Sequence, residues 1–458
     1  MRSNSLVELD RAHLVHPVVS WRGHEATGVR VLTSAKGAIV TDAEGRKVVD
    51  GFAGLWCVNV GYGQESVIAA AERQLRILPY ATGYFGFGSE PAIRLAFRLA
   101  ELSPGNLDHV YFTLGGSDAV DSSVRFIRYY WNARSKPQKN HFISIEQGYH
   151  GSTTVGAGLT ALPVFHAGFG VPYDWQHKIP SHYAYRNPAG SDPMAIIAAS
   201  TAALRAKVEA LGGPERVAAF YAEPIQGSGG VLVPPSGWMR AMREVCTELD
   251  ILFVADEVIT GFGRTGPLFA CEEDGVVPDL MTVAKGLTSG YAPMGAVLIA
   301  DHVYQTIADG AGAAAVGHGF TYSGHPVSAA IALAVLDLYE GGLIENGRAM
   351  GARLQAGLAS LADHPLVGDV RGRGMLAAVE LVTDKAAKTA LPAAADPSRR
   401  ILDRAWKNGL IIRAFGNGVI GFAPPLCCTA DEIDAIVERT RVTLDQTLAD
   451  PDVRAALA

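Results

Sequence analysis

The chain is short of the residues that mark several common classes of protein. It holds only five cysteines in 458 positions, and although Cys427 and Cys428 are adjacent, no C-x-x-C spacing occurs. That argues against a disulfide framework or a zinc site and suits a reducing compartment. No metal is expected. A strong excess of one charge is also lacking: the formal net charge of -7 gives no broad attraction to nucleic acid or to anionic membrane. No window approaches the ~20 unbroken apolar residues of a membrane helix. The opening "MRSNSLVELDRAHLVHP" sets acids, arginines and histidines where a signal peptide needs an apolar stretch. Small-molecule chemistry in the cytoplasm, without nucleic acid or membrane as partner, is the expectation that remains. Internal repeats and low-complexity tracts are absent too.

What is present is a 48% apolar chain, long enough for a large core divided into a major and a minor domain. Six short β-like runs begin at His109, His141, Val217, Ile251, Leu280 and Gly295. Helical spacing appears between several of them: from Ser117 with Val120, Val124 and Ile127, from about Pro193 to Gly212-Gly213, and after Ser236. Alternation of this kind predicts an α/β fold, a mostly parallel central sheet covered by helices. From about Val335 the pattern changes to a long helix, short strands, and a last helix opened at Thr429 by a capping box with Glu432. "AKTALPAAADP" from Ala387 reads as an exposed loop. The expected organisation is a large domain over 61–334 and a small α+β domain over 335–458, which residues 1–60 join through "GAIVTD" and "KVVDGF".

"ILFVADEVITGFGRTG", from Ile251, carries two competing signals. Gly261, Gly263 and Gly266 match the G-x-G-x-x-G spacing of a dinucleotide turn, but Pro267-Leu268-Phe269 follow where a helix should open, so the match is weak. The acids carry more. Asp256 ends an apolar strand, and ligands of open parallel sheets bind at such ends; a turn or helix-cap acid is the plainer reading. Downstream, Lys285 ends a second apolar run between Ala284 and Gly286. A lysine with few routes to water has a lowered pKa and can form a Schiff base with an aldehyde. If that aldehyde is pyridoxal phosphate, its ring nitrogen needs a carboxylate, and Asp256 fits. "TLGGSDAV" puts Gly115, Gly116 and Ser117 between strand and helix, a phosphate cradle or a plain strand-to-helix turn.

Taken together, these features resemble the class III (ω-) aminotransferases of fold type I. "DRAHLVHP", "GLWCVNVGYG", "GGSDAV", "GYHGST", "AEPIQGSGG", "VADEVITGFGRTG", "AKGLTSGYAPMGAV", "FTYSGHP" and "APPL" stand in that family's order across essentially the whole chain. The resemblance implies pyridoxal 5'-phosphate as cofactor and an amine or ω-amino acid donor with a keto acid acceptor, pyruvate expected. It implies Lys285 as Schiff-base and proton-transfer lysine and Asp256 as ring-nitrogen partner. Tyr149 and Val258 would cover the two ring faces, Gly116 and Ser117 would hold the phosphate, and His150, Glu223 and Gln226 would lie around the ring. Thr321 would reach the phosphate from a second subunit, giving a homodimer with shared sites and leaving a tetramer open. Trp56, Tyr84, Phe85, Tyr149 and Ser228 would line the substrate pocket, with Arg413 for a substrate carboxylate. Asn417, where relatives often carry aspartate, leaves the mobility of Arg413 open. The alternatives are an aminomutase or dialkylglycine-type decarboxylase on the same scaffold, a nicotinamide oxidoreductase read from "GFGRTG", and a non-catalytic protein on this fold.

Overall fold

The computed structural model describes residues 3–392, 397–416 and 418–457. Its centre is a seven-stranded sheet in the order His109–Thr113, Gly295–Ile299, Leu280–Val283, Leu252–Asp256, Val217–Ala222, His141–Ile145, Gln176–Ile179. Only Gly295–Ile299 runs antiparallel to its neighbours. Four consecutive strands of the middle bury every residue, as continuous apolar runs do when helices cover both faces. All six expected strands are present. The seventh, "QHKI", has no apolar run to announce it, and only Gln176 and Ile179 of its four residues are buried; it lies at the sheet edge, where polar side chains are tolerated.

Helices cover the sheet as their spacing predicts. Gly116–Ala133 buries Val120, Val124 and Ile127, and Pro193–Ala210 starts at Asp192, whose carboxylate accepts from the Ala195 amide at 3.1 Å. The long helix expected near Val335 begins earlier, at Pro326, and continues to Ala359 through a turn at Gly341-Gly342. The expected boundary between residues 334 and 335 falls inside it. By length and composition Pro326–Ala359 could cross a membrane, yet it packs on the Glu65–Ile77 and Glu90–Leu102 helices and buries Val327, Ile331, Val335 and Leu336.

Two smaller sheets bring the ends of the chain together. Lys47–Asp50 pairs in parallel with Leu410–Ile411, so early and late residues share one sheet with Leu32–Lys36 and Ile39–Asp42. The other joins Val367–Arg373, Leu376–Asp384, Val419–Phe422 and Arg413–Ala414, with Thr389–Ala390 on its side. Thr389–Ala390 thus forms a short strand within the loop expected from Ala387; residues 393–396 of that loop lie outside the described residues. The last helix, Ala430–Leu448, carries the expected capping box: the Glu432 amide donates to Thr429 Oγ1 at 3.3 Å and the Thr429 amide to Glu432 Oε2 at 2.9 Å.

Candidate active site

The antiparallel strand Gly295–Ile299 is flanked by two strands that share one direction. The ends of His109–Thr113, Leu252–Asp256 and Leu280–Val283 therefore open on the same edge of the sheet. Asp256 closes its strand there, paired with Thr282, and Lys285 follows two residues after the next strand. The juxtaposition of acid and lysine is thus a property of register. Lys285 has φ +44°, a left-handed conformation that costs a lysine about 1–3 kcal/mol and that the surrounding structure must enforce. Part of the residue stays accessible, while desolvation by the protein around it pulls its pKa down to about 8, against the opposing pull of Asp256, Cys57 and Glu223.

Asp256 is 4% exposed. Its Oδ2 lies 2.7 Å from His150 Nδ1, and its Oδ1 accepts from the Val258 amide at 3.2 Å. His150 is itself buried and tied by its amide to Thr160 Oγ1 at 2.8 Å, so it fixes the plane of the carboxylate. Glu223 accepts from the amides of Tyr149 at 2.8 Å and Gly227 at 3.0 Å; burial pushes its carboxyl up to about 7, and its place is to hold the Tyr149 and Gly227 loops. Gln226 does similar work, accepting from Ser181 Oγ at 2.6 Å and donating to the Glu146 carbonyl at 2.8 Å. Ser228 follows Gly227, partly exposed.

The glycine-rich turn before the Gly116–Ala133 helix has the makings of an anion cradle. Among the described residues the amides of Gly116 and Ser117 find no acceptor, and the axis of an 18-residue helix points its positive end at them. Ser117 Oγ accepts from the Ser152 amide at 3.1 Å. A Cβ at Gly151 (φ +111°) would stand 2.7 Å from Ser117 Oγ. At Gly116 a Cβ would meet Val258 Cγ1 at 2.8 Å. Only glycine lets Val258, two residues after Asp256, close down on the turn. Tyr149 comes in from another loop, its hydroxyl 3.0 Å from Ser152 Oγ. Lysine, buried carboxylate, unpartnered amides and flanking Tyr149 and Val258 together fit pyridoxal phosphate.

The expected pocket residues divide into two groups. Trp56 is buried, at φ +62°, with its ring 4.3 Å from Phe52 and 6.4 Å from Phe415; Asp50 holds this loop by accepting from the Phe52 and Gly54 amides. Arg413 lies with its guanidinium carbon 5.6 Å from the centre of the same Phe415 ring, exposed and near enough to feel Tyr149. Asn417 lies outside the described residues. Tyr84, Phe85 and Thr321 form the second group. Phe85 is 89% exposed, Tyr84 leans on Gly319, and Thr321 is exposed, its carbonyl taking the Tyr80 hydroxyl at 3.0 Å. Within one chain none of these three has a contact with Lys285 or Asp256 among those described.

Sequence reasoning missed the office of the glycine-rich loop. Arg264, inside "GFGRTG", is fully buried and donates to the carbonyls of Ala423 and Pro424 and to Asn59 Oδ1, joining "GLWCVNVGYG" to "APPL". A Cβ at Gly263 would meet Ile344 at 2.9 Å. The glycines permit this packing, and the segment that follows is a short 3-10 turn, Ala270–Asp274, instead of a helix for a dinucleotide.

The chain matches the family model for class III aminotransferases over residues 21–444. It is 42% identical to the putrescine–pyruvate aminotransferase of Pseudomonas aeruginosa, over 96% of each chain. With the diaminobutyrate–2-oxoglutarate transaminase of Halomonas elongata it shares 40% identity, over 95% of this chain and 94% of the other. Among solved structures, the (S)-enantioselective ω-transaminase of Thermomicrobium roseum superposes with a TM-score of 0.95 at 39% identity, covering 98% of this chain and 99% of that one. The ω-transaminase of Pseudomonas jessenii, solved in complex with PMP, gives 0.94 at 39% identity over 97% and 98%. The chain belongs to the class III aminotransferases, pyridoxal-phosphate-dependent enzymes of fold type I.

Proposed function

We propose that the enzyme moves an amino group from an amine or ω-amino acid to pyruvate, in two half-reactions at the site of Lys285 and Asp256. The observation that carries the reading is geometric: Asp256, buried, closes one strand and Lys285 follows the next strand at the same sheet edge, where burial pulls the lysine's pKa down to about 8. Bound there, pyridoxal phosphate supplies a carbonyl for the donor's nitrogen and an electron-withdrawing ring that takes up charge as the donor's Cα–H bond breaks. The protein does the rest. Gly116 and Ser117 would hold the phosphate through amides and hydroxyl, and Tyr149 and Val258 would hold the ring. Asp256 would keep a proton on the ring nitrogen, and His150 keeps Asp256 in place. Lys285 would be the group that takes up and returns the proton of the donor's Cα. In the return half-reaction Arg413 grips the carboxylate of the keto acid with its planar fork, beside Trp56 and Ser228.

Pyruvate is favoured by the relative named for it at 42% identity. A homodimer is supported by the exposure of the aromatic side chains Phe85, Phe87 and Tyr322, which a second copy would cover, bringing Thr321, Tyr84 and Phe85 to the neighbouring site. A cytoplasmic setting suits five cysteines that are all free. The test is a half-reaction screen. Single amines and amino acids are added to cofactor-loaded enzyme without acceptor, and the visible band is followed. Bleaching by some donors, reversed by pyruvate with alanine formed and no carbon dioxide released, supports the reading. A band that no donor bleaches, or that only another keto acid restores, refutes the donor or the acceptor assignment respectively.

A further inference from the structure

The first 28 residues hold a cluster that the catalytic site does not use. Asp10, on the Ser3–His13 helix, is approached by two imidazoles: His16 Nε2 lies 2.7 Å from its Oδ1 and His24 Nε2 2.6 Å from its Oδ2. The rings are 4.4 Å apart, and the side chains are sheltered, with 10% of Asp10, 24% of His16 and 13% of His24 exposed. One oxygen and two nitrogens thus lie within 4.8 Å of one another, brought from a helix, a turn and a second helix, Trp21–Thr27. We propose that Asp10, His16 and His24 bind a divalent transition-metal ion, zinc by preference, which clasps the N-terminal arm.

Donor chemistry and geometry both favour it. Without an ion each Nε2–H donates to the carboxylate; with the proton moved to Nδ1, each ring offers its Nε2 lone pair to an ion at the same place. Two imidazoles and one carboxylate are a common set for zinc, with a fourth position left for water. Around a tetrahedral ion with bonds of about 2.0–2.1 Å, donors stand about 3.3 Å apart, so His16 Nε2 and Asp10 Oδ1, now at 2.7 Å, would open by about 0.6 Å, and His24 Nε2, now on Oδ2, would swing towards the ion. The arm is built beforehand to present them. Ser20 Oγ caps the second helix by accepting from the Gly23 amide at 3.1 Å, and Arg11 Nη2 donates to the Ala26 carbonyl at 3.5 Å. The return is tight at Gly28 (φ +74°), where a Cβ would stand 2.9 Å from Arg11 and 3.0 Å from Val7. A preformed site needs little ordering on binding.

There is also a reason for a clasp. Among the described residues of one chain the Trp21–Thr27 helix buries none of its own, and Leu14, Val15, Val18 and Trp21 are exposed, so little apolar burial within the chain holds the arm in shape. Segments that cannot bury enough apolar surface are commonly stapled by a metal or a disulfide, and no cysteine lies among these residues.

The test uses untagged, cofactor-loaded enzyme freed of metal by dialysis against a chelator. Zinc chloride is titrated by calorimetry into wild type, His16→Gln and His24→Gln. The expected result is one zinc per chain, bound at least tenfold more weakly by either variant while each keeps the visible cofactor band. X-ray absorption should show only nitrogen and oxygen neighbours at about 2.0–2.1 Å. Zinc should slow proteolysis within residues 1–28 of wild type and leave His24→Gln unprotected. Equal zinc binding by the variants, a sulfur neighbour at the zinc, or no stoichiometric binding overturns the site. So does protection that depends on the histidines but not on zinc, which would make the cluster a hydrogen-bonded clamp only.

Discussion

Changing Asp256 to asparagine removes one negative charge and almost no volume, from a residue 4% exposed. Both carboxylate oxygens are engaged, one with the Val258 amide at 3.2 Å and the other with His150 Nδ1 at 2.7 Å. An amide can still accept from Val258 through its oxygen, but it then turns NH2 towards His150, which must change tautomer to accept. The bound ring nitrogen loses its charged partner at the same time. A hydrogen bond to a charged group contributes about 1.5–3 kcal/mol; if that is forfeited only as charge develops, the half-reaction slows by about 10- to 150-fold.

The assay is single-turnover bleaching of the cofactor band by excess donor in a stopped-flow instrument, with band height as the control for loading. We expect the variant to stay loaded, through the Ser117 cradle and Lys285, and to bleach slowly. A second readout separates charge from shape. Asp256 is the largest of the charges that raise the Lys285 pKa against desolvation, so without it that pKa falls further below 8. An unchanged bleaching rate refutes the ring-partner role, and an unmoved lysine titration refutes the coupling between the two groups.

Three further outcomes follow from the same geometry. Because Lys285 titrates near pH 8, capture of pyridoxal phosphate by cofactor-free protein should quicken about tenfold between pH 6 and pH 7 and flatten above about pH 8; a flat profile refutes the lowered pKa. Burial pushes Glu257 up to about 7 from a solvated glutamate's 4.5. The fold therefore keeps a proton that the unfolded chain has lost, and a cost of about 3 kcal/mol grows as pH rises from 4.5 to 7 and persists above it. Glu257→Gln should raise the denaturation midpoint at pH 8 and leave it unchanged near pH 4.5, and a gap that does not vary with pH contradicts the burial argument. Arg413→Ala should raise KM for keto acids at least tenfold and leave simple amines within about twofold; equal effects on both refute carboxylate recognition.

The sheet was legible because its middle strands are unbroken apolar runs, and the ends of two of them named Asp256 and Lys285 directly. Gln176–Ile179 was not, since an edge strand reading "QHKI" has no periodic signal. The capping box at Thr429 could be read because its partners are three residues apart, whereas Arg264 gives no local sign that its acceptors lie at Asn59 and near residue 423. Tyr84, Phe85 and Thr321 show a different limit: the family resemblance implies a place for them in the site, yet one chain leaves them exposed on its surface. Asp10, His16 and His24 were passed over because spacings of six and eight residues match no metal motif, and only the Ser20 turn brings them together.

The two acids of "VADEV" show how one strand end serves chemistry and architecture at once. Successive side chains leave an extended backbone on opposite sides, so Asp256 turns to His150 while Glu257 turns to Thr260 and the Cys271 amide. Among the described residues no cation pairs with Glu257, and burial pushes its carboxyl up to about 7. It therefore anchors the glycine loop without adding a second full charge next to the one Lys285 must feel. That loop carries Arg264 into the interior, where it ties Asn59 and the 423–424 carbonyls to the segment that follows Asp256. The loops bearing Trp56 and "APPL" are thereby fastened to the same short piece of chain as the carboxylate. A substitution at Arg264 would thus reach the active site through position, by loosening loops on both sides of it, although no atom of Arg264 touches Lys285 or Asp256 among the described contacts.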